Sequence, residues 1–426
     1  VNPADKNEKK IVRGMKDLFY SDVEDFEFII KNAKEISLIY GFFECITPIV
    51  EFSSIFERNL GETSDVIKKE IYKFEDRGGD LLALRPEFTA GVVRAFLENN
   101  LKMNEAKTSK RETCRIFSWG PLFRYDRPQK GRYRQFNQIN FESFLRDGYL
   151  EDAEIISLAY NLLIRLGLAG KFTLEINNLG SSSTLLKYET ALKEYFESFK
   201  DSLSQISRER LLKKPAKILD SKEKEDTEIC KNAPKISSFY TPDEAKNFEN
   251  TLKLLVENKI PFKVNESIVR GLDYYTGIVF EFTTDLLGSQ STILGGGRYN
   301  SLVQNMGGES IPAIGFAAGI ERLILLIDNP KKDKNALFIV PLKEENISYA
   351  FKLSNIFKNQ GITCLISSSF NQSLGARLEK ISKENYESFA LVLGKNEQTS
   401  EVFKIKNLST FEEKTGDINF IISCLK

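Results

Sequence analysis

Residues 123–144 read FRYDRPQKGRYRQFNQINFESF. Five cations, Arg124, Arg127, Lys130, Arg132 and Arg134, fall within eleven residues, interleaved with Tyr125 and Tyr133. The chain as a whole balances 60 Lys and Arg against 60 Asp and Glu. The cluster is therefore a local anion site in a neutral molecule. A basic loop with aromatics suits phosphates and unstacked bases. After it, Gln138, Asn140 and Glu142 alternate with Ile139 and Phe141. Period-2 alternation puts the three polar groups on one face of a strand. With RIFSWGPLFRY (115–125) in front, the stretch predicts two strands joined by a polar loop. Its polar face would be a pocket wall, the alternative being a solvated edge hairpin.

Working outward, Ser21 to Tyr40 predicts a helix. Ser21 and Glu24 have capping-box spacing, and Phe26, Ile29, Ala33, Ile36 and Tyr40 share one face. GFFECITPIVEF (41–52) is extended, and Pro48 within it points to a sheet edge or an interface. IYKFEDRGGDLLALR (71–85) predicts two strands around a Gly-Gly turn. Helices are expected over Thr89–Asn99 and about 152–167, then a strand, FTLEIN. Residues 183–258 become helical and Lys/Glu-rich, with a strong helix start at Thr241-Pro242-Asp243-Glu244, and predict a helical insertion. Strands resume at 262–268, 278–284 and about 291–295, and a helix is expected from about 316. DNPKKDKNA (328–336) reads as a linker. Beyond it, strands LFIVP, ITCLIS, FALVLG and VFKIK alternate with helices, which predicts a small α/β domain with a mainly parallel sheet. The expected division is a domain over 1–328 interrupted by the insertion at 183–258, a linker at 329–336, and a second domain over 337–426.

At 426 residues the chain allows two to four domains and a large core. No stretch approaches the length of an apolar membrane span, and VNPADKNEKK has no apolar signal core after it. A cytoplasmic protein with no membrane partner is expected. The five cysteines are scattered and form no CxxC, which argues against a disulfide framework and a structural zinc. There is no histidine. Ser-His-Asp and Cys-His catalysis are excluded, and any chemistry rests on carboxylates, Arg, Lys, Tyr, Ser/Thr and Mg²⁺.

Four further stretches carry candidate groups. In LALRPEFTAGVVRAF, Glu87 and Thr89 open a helix, where they suit capping or the receipt of an ammonium. VRGLDYYTGIVFEF sets Arg270 ahead of Tyr274 and Tyr275. LGGGRYN offers a triple glycine, for close backbone approach or a tight turn. PAIGFAAGIER places small residues around an expected helix start, and Arg322 on that apolar helix asks for a buried anionic partner.

Together these stretches resemble a class II aminoacyl-tRNA synthetase, and within that class the histidyl-tRNA synthetase family. GFFECITPIVEF resembles the first class motif, FRYDRPQKGRYRQFNQINFE the second and IGFAAGIERLILL the third. RGLDYYTG and LGGGRYN resemble signatures peculiar to the histidine enzymes. The likeness runs from Arg13 onward. Asp126, Asn137, Asn140 and Asn300 depart from the usual choices, at positions expected to be flanking. The resemblance implies an α+β class II catalytic domain with an antiparallel sheet and helices, a helical insertion, and a C-terminal α/β anticodon-binding domain. It implies a homodimer, ATP and L-histidine as substrates, the cognate tRNA as partner, Mg²⁺ and no zinc. By the same resemblance Arg124 and Arg270 would act at the ATP α-phosphate and Arg322 at its γ-phosphate end. Glu87, Thr89 and Gln138 would hold the amino group, and Gln138 is also expected among the catalytic residues. Tyr274 is expected in the histidine pocket, and Glu142 with Tyr275 would read the imidazole. Gln129, Arg132 and Arg134 would meet the tRNA acceptor end. The alternative is a regulatory paralogue that binds histidine and controls a phosphoribosyltransferase.

Overall fold

The computed structural model describes residues 10–57, 70–103, 105–129, 131–219, 221, 223–268, 274–288, 291–328, 335–384 and 386–426. Two compact units divide the chain, Val1–Asn329 and Pro330–Lys426.

The strands of the first unit are β1 (Phe43–Glu44), β2 (Val50–Phe52), β3 (Tyr72–Glu75), β4 (Leu81–Leu84), β5 (Cys114–Phe123), β6 (Gln135–Phe144), β7 (Thr173–Asn178), β8 (Lys263–Val264), β9 (Ile278–Thr283), β10 (Thr292–Arg298) and β11 (Ala313–Gly319). Eight form one sheet in the order β1-β5-β6-β11-β10-β9-β7-β8, and β2-β4-β3 form a small second sheet. The large sheet is antiparallel except for its two edge pairs, β1 with β5 and β7 with β8.

Helices cover both faces of this sheet. They are α1 (Ser21–Ile39), α2 (Ser53–Glu57), α3 (Thr89–Glu98), α4 (Tyr149–Arg165), α5 (Ser182–Glu197), α6 (Gln205–Lys213), α7 (Lys224–Cys230), α8 (Pro242–Glu257), α9 (Asn300–Asn305) and α10 (Ile320–Ile324). On one face α1, α4, α8 and α10 bury Ile29, Ile155, Leu162, Leu255 and Leu323 against Phe117, Phe141, Phe280 and Phe316. On the other, α3 and α9 pack Val92, Phe96 and Leu302 against Ile116 and Phe144, and Tyr188, Leu192 and Phe196 of α5 join the same core. The described residues of 182–257 thus carry helices and no strand, but α8 packs on the opposite face of the sheet from α5.

Several local expectations change in the fold. The capping box of α1 does not form: Tyr20 is the cap residue, at φ 47°, and makes no side-chain cap bond. The capping box of α8 does form, on Thr241 and Glu244. The triple glycine is no turn, because Gly295, Gly296 and Gly297 lie inside β10. The helix expected from about 316 is preceded by strand β11, and only Ile320–Ile324 are helical. Small residues at 313–319 let a strand pass close to its neighbours, so they serve sheet packing before helix packing. Residues 262–268 contribute only the two-residue β8.

The second unit has β12 (Asn335–Pro341), β13 (Thr363–Ile366), β14 (Glu387–Leu393), β15 (Phe403–Asn407) and β16 (Glu413–Gly416) in the order β13-β12-β14-β15-β16. The first three are parallel, and β15 and β16 close one edge antiparallel. Helices α11 (Ile347–Asn359), α12 (Leu374–Ile381), α13 (Lys395–Ser400) and α14 (Ile418–Leu425) accompany them. Leu353 and Ile421 pack on one face of the sheet, and Ile381 on the other.

Candidate active site

The alternation in β6 becomes the wall of a cavity of about 360 Å³. Ile139 and Phe141 point into the core behind the sheet, while Gln138, Asn140 and Glu142 line the cavity. Directly across the ladder, Gly319, Ala317 and Gly315 of β11 pair with those three residues. The neighbouring positions on β10 are Gly295, opposite Ala317, and Gly297, opposite Gly315. Small residues on β10 and β11 thus leave the floor open under the polar wall. A Cβ on Gly315 would lie 1.7 Å from Glu142 Oε2, so only glycine fits beneath that carboxylate.

At one end of the cavity Glu142 is almost fully buried and accepts three hydrogen bonds. Thr89 Oγ1 donates at 2.6 Å and Asn140 Nδ2 at 3.0 Å to Oε1, and the Tyr299 hydroxyl donates to Oε2. Burial pushes this carboxyl up to about 8, against the pull of Thr89 and Tyr299, and Glu87 raises it further. Burial also holds the Tyr274 and Tyr299 phenols well above their ordinary range, so both stay protonated donors. Tyr274 packs against Tyr275 at 4.7 Å and edge-on against Tyr299 at 5.7 Å, and all three rings line the cavity. Glu87 both caps α3 and lines the cavity: its oxygens accept the Thr89 N–H at 2.5 Å and the Ala90 N–H at 2.9 Å. Burial raises its pKa, opposed by those two N–H groups.

The other end is cationic. Arg124, Arg132 and Arg322 line it together. Burial lowers the pKa of Arg322; repulsion from Arg132 and Arg124 lowers it further, and Glu281 pulls it back up. Arg124 Nε donates to the Pro86 carbonyl at 2.8 Å, and its guanidinium lies over the Phe136 ring at 5.2 Å. Arg322 Nη1 donates to the Thr292 carbonyl, and Glu281 on the same wall acts on its charge. Arg132 pairs with Asp126. Glu281, also on the wall, accepts from Thr292 Oγ1 at 2.8 Å.

Of the residues singled out in the sequence, the fold brings together Glu87, Thr89, Arg124, Arg132, Gln138, Glu142, Tyr274, Tyr275 and Arg322 around the cavity. Gln129 is exposed in the loop, and its backbone pairs with Arg132. Arg134 is turned onto the Tyr125 ring at 3.7 Å and lies off the cavity wall. Arg270 and Lys130 lie outside the described residues. Two supposed flanking positions are structural members of the site. Asn140 bonds Glu142, and Asn137 donates its backbone N–H at 2.8 Å and its amide at 2.9 Å to Glu321. Tyr299 and Glu281 were not singled out. Tyr299 sits in LGGGRYN, where the glycines drew the reading, and nothing local marks it as the partner of a residue 157 positions away.

An antiparallel sheet with a carboxylate–tyrosine pocket at one end and an arginine cluster at the other is the class II aminoacyl-tRNA synthetase architecture. The histidyl-tRNA synthetase family profile matches residues 14–323, and an anticodon binding domain profile matches residues 336–426. The histidine–tRNA ligase of Wolbachia pipientis wMel is 43% identical over 403 residues, covering 95% of this chain and 96% of its own. That of Rickettsia bellii strain RML369-C is 44% identical over 416 residues, covering 97% and 98%. The crystal structure of apo S. aureus histidyl-tRNA synthetase superposes with a TM-score of 0.79 at 28% identity, over 98% of this chain and 99% of that one. The chain belongs to the histidyl-tRNA synthetase family.

Proposed function

We propose that this chain ligates L-histidine to its cognate tRNA in two ATP-dependent steps. The histidine carboxylate attacks the α-phosphorus of ATP, and the bond to the bridging oxygen breaks to release pyrophosphate. The terminal ribose 3′-OH of the tRNA then attacks the carbonyl of the adenylate, and AMP leaves. The observation that carries this reading is a single cavity with a buried carboxylate, ringed by hydroxyls, at one end and three arginines at the other. Such chemistry needs cations around a crowded phosphate and no protein nucleophile, so a chain without histidine is competent for it.

In this reading Arg124 meets the α-phosphate, Arg322 the γ-phosphate end, and Arg270 joins Arg124 by its place in the family motif. Glu87, Thr89 and Gln138 receive the amino group. Glu142 takes one ring N–H of the imidazole, and Tyr275 serves the other nitrogen. A buried polar pair of this kind rejects apolar isosteres, which would leave it unpaired. The Glu281 carboxylate beside Thr292 fits a Mg²⁺ carried in by ATP, since that ion takes a few carboxylate oxygens and fills its shell with phosphate and water. When bound, Mg²⁺ would neutralise phosphate charge.

Residues 1–328, with the insertion at 183–258, are assigned to catalysis, 329–336 to the linker and 337–426 to anticodon binding. The partner is a second copy of the chain. Leu38, Ile39 and Ile46 are 73, 70 and 82% exposed in the single chain, and Phe43, Ile49 and Phe52 are exposed beside them, an apolar strip that a copy would cover. No helix among the described residues is long and apolar enough to cross a membrane.

ATP–pyrophosphate exchange with each of the twenty amino acids tests the reading. Exchange with histidine alone supports it. Exchange with another amino acid discards the substrate. Histidine binding without any exchange moves the chain to the regulatory paralogue, which the ligase relatives do not favour.

A further inference from the structure

The basic loop is held from two sides. Gly131 faces α10, where a Cβ would come within 3.1 Å of Leu325 and 3.5 Å of Arg322. On the other side lies the segment of residues 11–16, a turn closed by the Met15 N–H on the Val12 carbonyl and tied toward α1 by Lys16 on Asp22 at 2.6 Å. Its Ile11 and Val12 are exposed.

The contact between segment and loop leads straight to the phosphate end of the cavity. The Arg134 N–H donates to the Gly14 carbonyl at 2.7 Å, and the Arg124 N–H donates to the Arg134 carbonyl at 2.8 Å. Gly14, Arg134 and Arg124 therefore form consecutive rungs of main chain. Gly14 has φ +86°, and a Cβ there would fall 2.8 and 2.9 Å from Arg134 Cγ and Cδ and 2.9 Å from Pro128 Cγ. Both the conformation and the space demand glycine. Arg134 is committed to the loop: its guanidinium stacks on Tyr125 at 3.7 Å, Nε donates to the Asp126 carbonyl at 3.2 Å, and Tyr125 meets Tyr72 edge-on at 5.7 Å.

We propose that residues 11–16 clamp the basic loop, with Gly14 and Arg134 as positioning residues that hold Arg124 where ATP binds. Arg134 is then a brace and not a tRNA contact. The assignment of the arginine end to ATP rests on the function proposed above.

The test uses the full chain and the variants Gly14→Ala, Arg134→Ala and Arg134→Lys, with the Gly14→Ala/Arg134→Ala double variant. Calorimetry gives the Kd of ATP and of histidine separately, and exchange gives kcat/KM for ATP. The clamp requires Gly14→Ala and Arg134→Ala each to lower kcat/KM for ATP by roughly 10- to 100-fold, as a misplacement near 1 Å would. It also requires weaker ATP binding, unchanged histidine affinity, and a double variant little worse than the worse single. Both Arg134 substitutions leave the main-chain rungs in place; Arg134→Lys keeps a cation over Tyr125 but loses the planar stack and the Nε donor to Asp126, and should fall between wild type and Arg134→Ala. The clamp is overturned if Arg134→Ala spares ATP binding and exchange and raises only the KM for tRNA. It is equally overturned if Gly14→Ala weakens histidine and ATP binding alike. Should Gly14→Ala fail to fold, Arg134→Ala, which imposes no backbone strain, decides by the same readouts. A wild-type chain that binds ATP but shows no histidine-dependent exchange sinks the proposed function, and the ATP Kd values still judge the clamp.

Discussion

Glu142, which the proposed function assigns to the substrate imidazole, also carries a cost of folding. Its carboxyl titrates at about 8 in the folded chain against 4.5 ordinarily, chiefly from burial. Between those values the folded state keeps the proton and the unfolded chain releases it. Stability from this group is therefore full below about pH 4.5 and is lost as pH rises through about 8. Asp152, raised to about 6 by burial against the pull of Arg298, adds a fall of the same sign over a lower window. Denaturation of the ligand-free protein between pH 5 and 8 should show stability falling with pH, and Glu142→Gln should flatten the upper part of that slope. Glu142→Gln should also abolish histidine-dependent exchange. Removing the donor opposite is milder: Tyr299→Phe should raise the KM for histidine about tenfold, as loss of one buried hydrogen bond does, with the KM for ATP unchanged. Glu142 was legible because alternation along one strand is a local signal. Its hydroxyl ring was not, because Thr89 and Tyr299 reach it only through tertiary folding.

The central strands behave as one device. Register places Gly315, Ala317 and Gly319 across from Glu142, Asn140 and Gln138, so the polar groups stand over backbone and not over side chains. Gly315→Ala puts a methyl within the Glu142 carboxylate and should cost about 1–3 kcal/mol by overpacking, read as a lowered denaturation midpoint, with histidine binding lost. The sequence marked these positions as small without saying why. A run of glycines between strands reads as a turn, and a run of small residues before an apolar stretch reads as a helix start. Only the pairing of β10 with β11 shows that both are strands flooring a cavity. The cap of α1 failed for the converse reason: Ser21 has the right spacing, but the chain enters the helix through Tyr20 at positive φ, one residue earlier.

At the scale of the molecule, the charged break at 328–336 and the alternation after it made the second unit readable, because composition and period both change there. The insertion was harder to bound. Its helices continue the cores of the sheet, and α8 shares a face with α4, so no change of pattern marks where it ends. The apolar strip around Leu38 and Ile46 has a consequence that a single chain cannot conceal. If the proposed second copy covers it, wild type should sediment as a dimer, and Ile46→Asp should sediment as a monomer and lose most exchange activity; a monomeric wild type would overturn the proposed partner. The ring of donors on Glu142 lies in a chain that contains no imidazole of its own. Added histidine is then the only source of imidazole signals. Nitrogen-15 in that ring would report by magnetic resonance which nitrogen faces the carboxylate and where its proton resides, with no background to subtract.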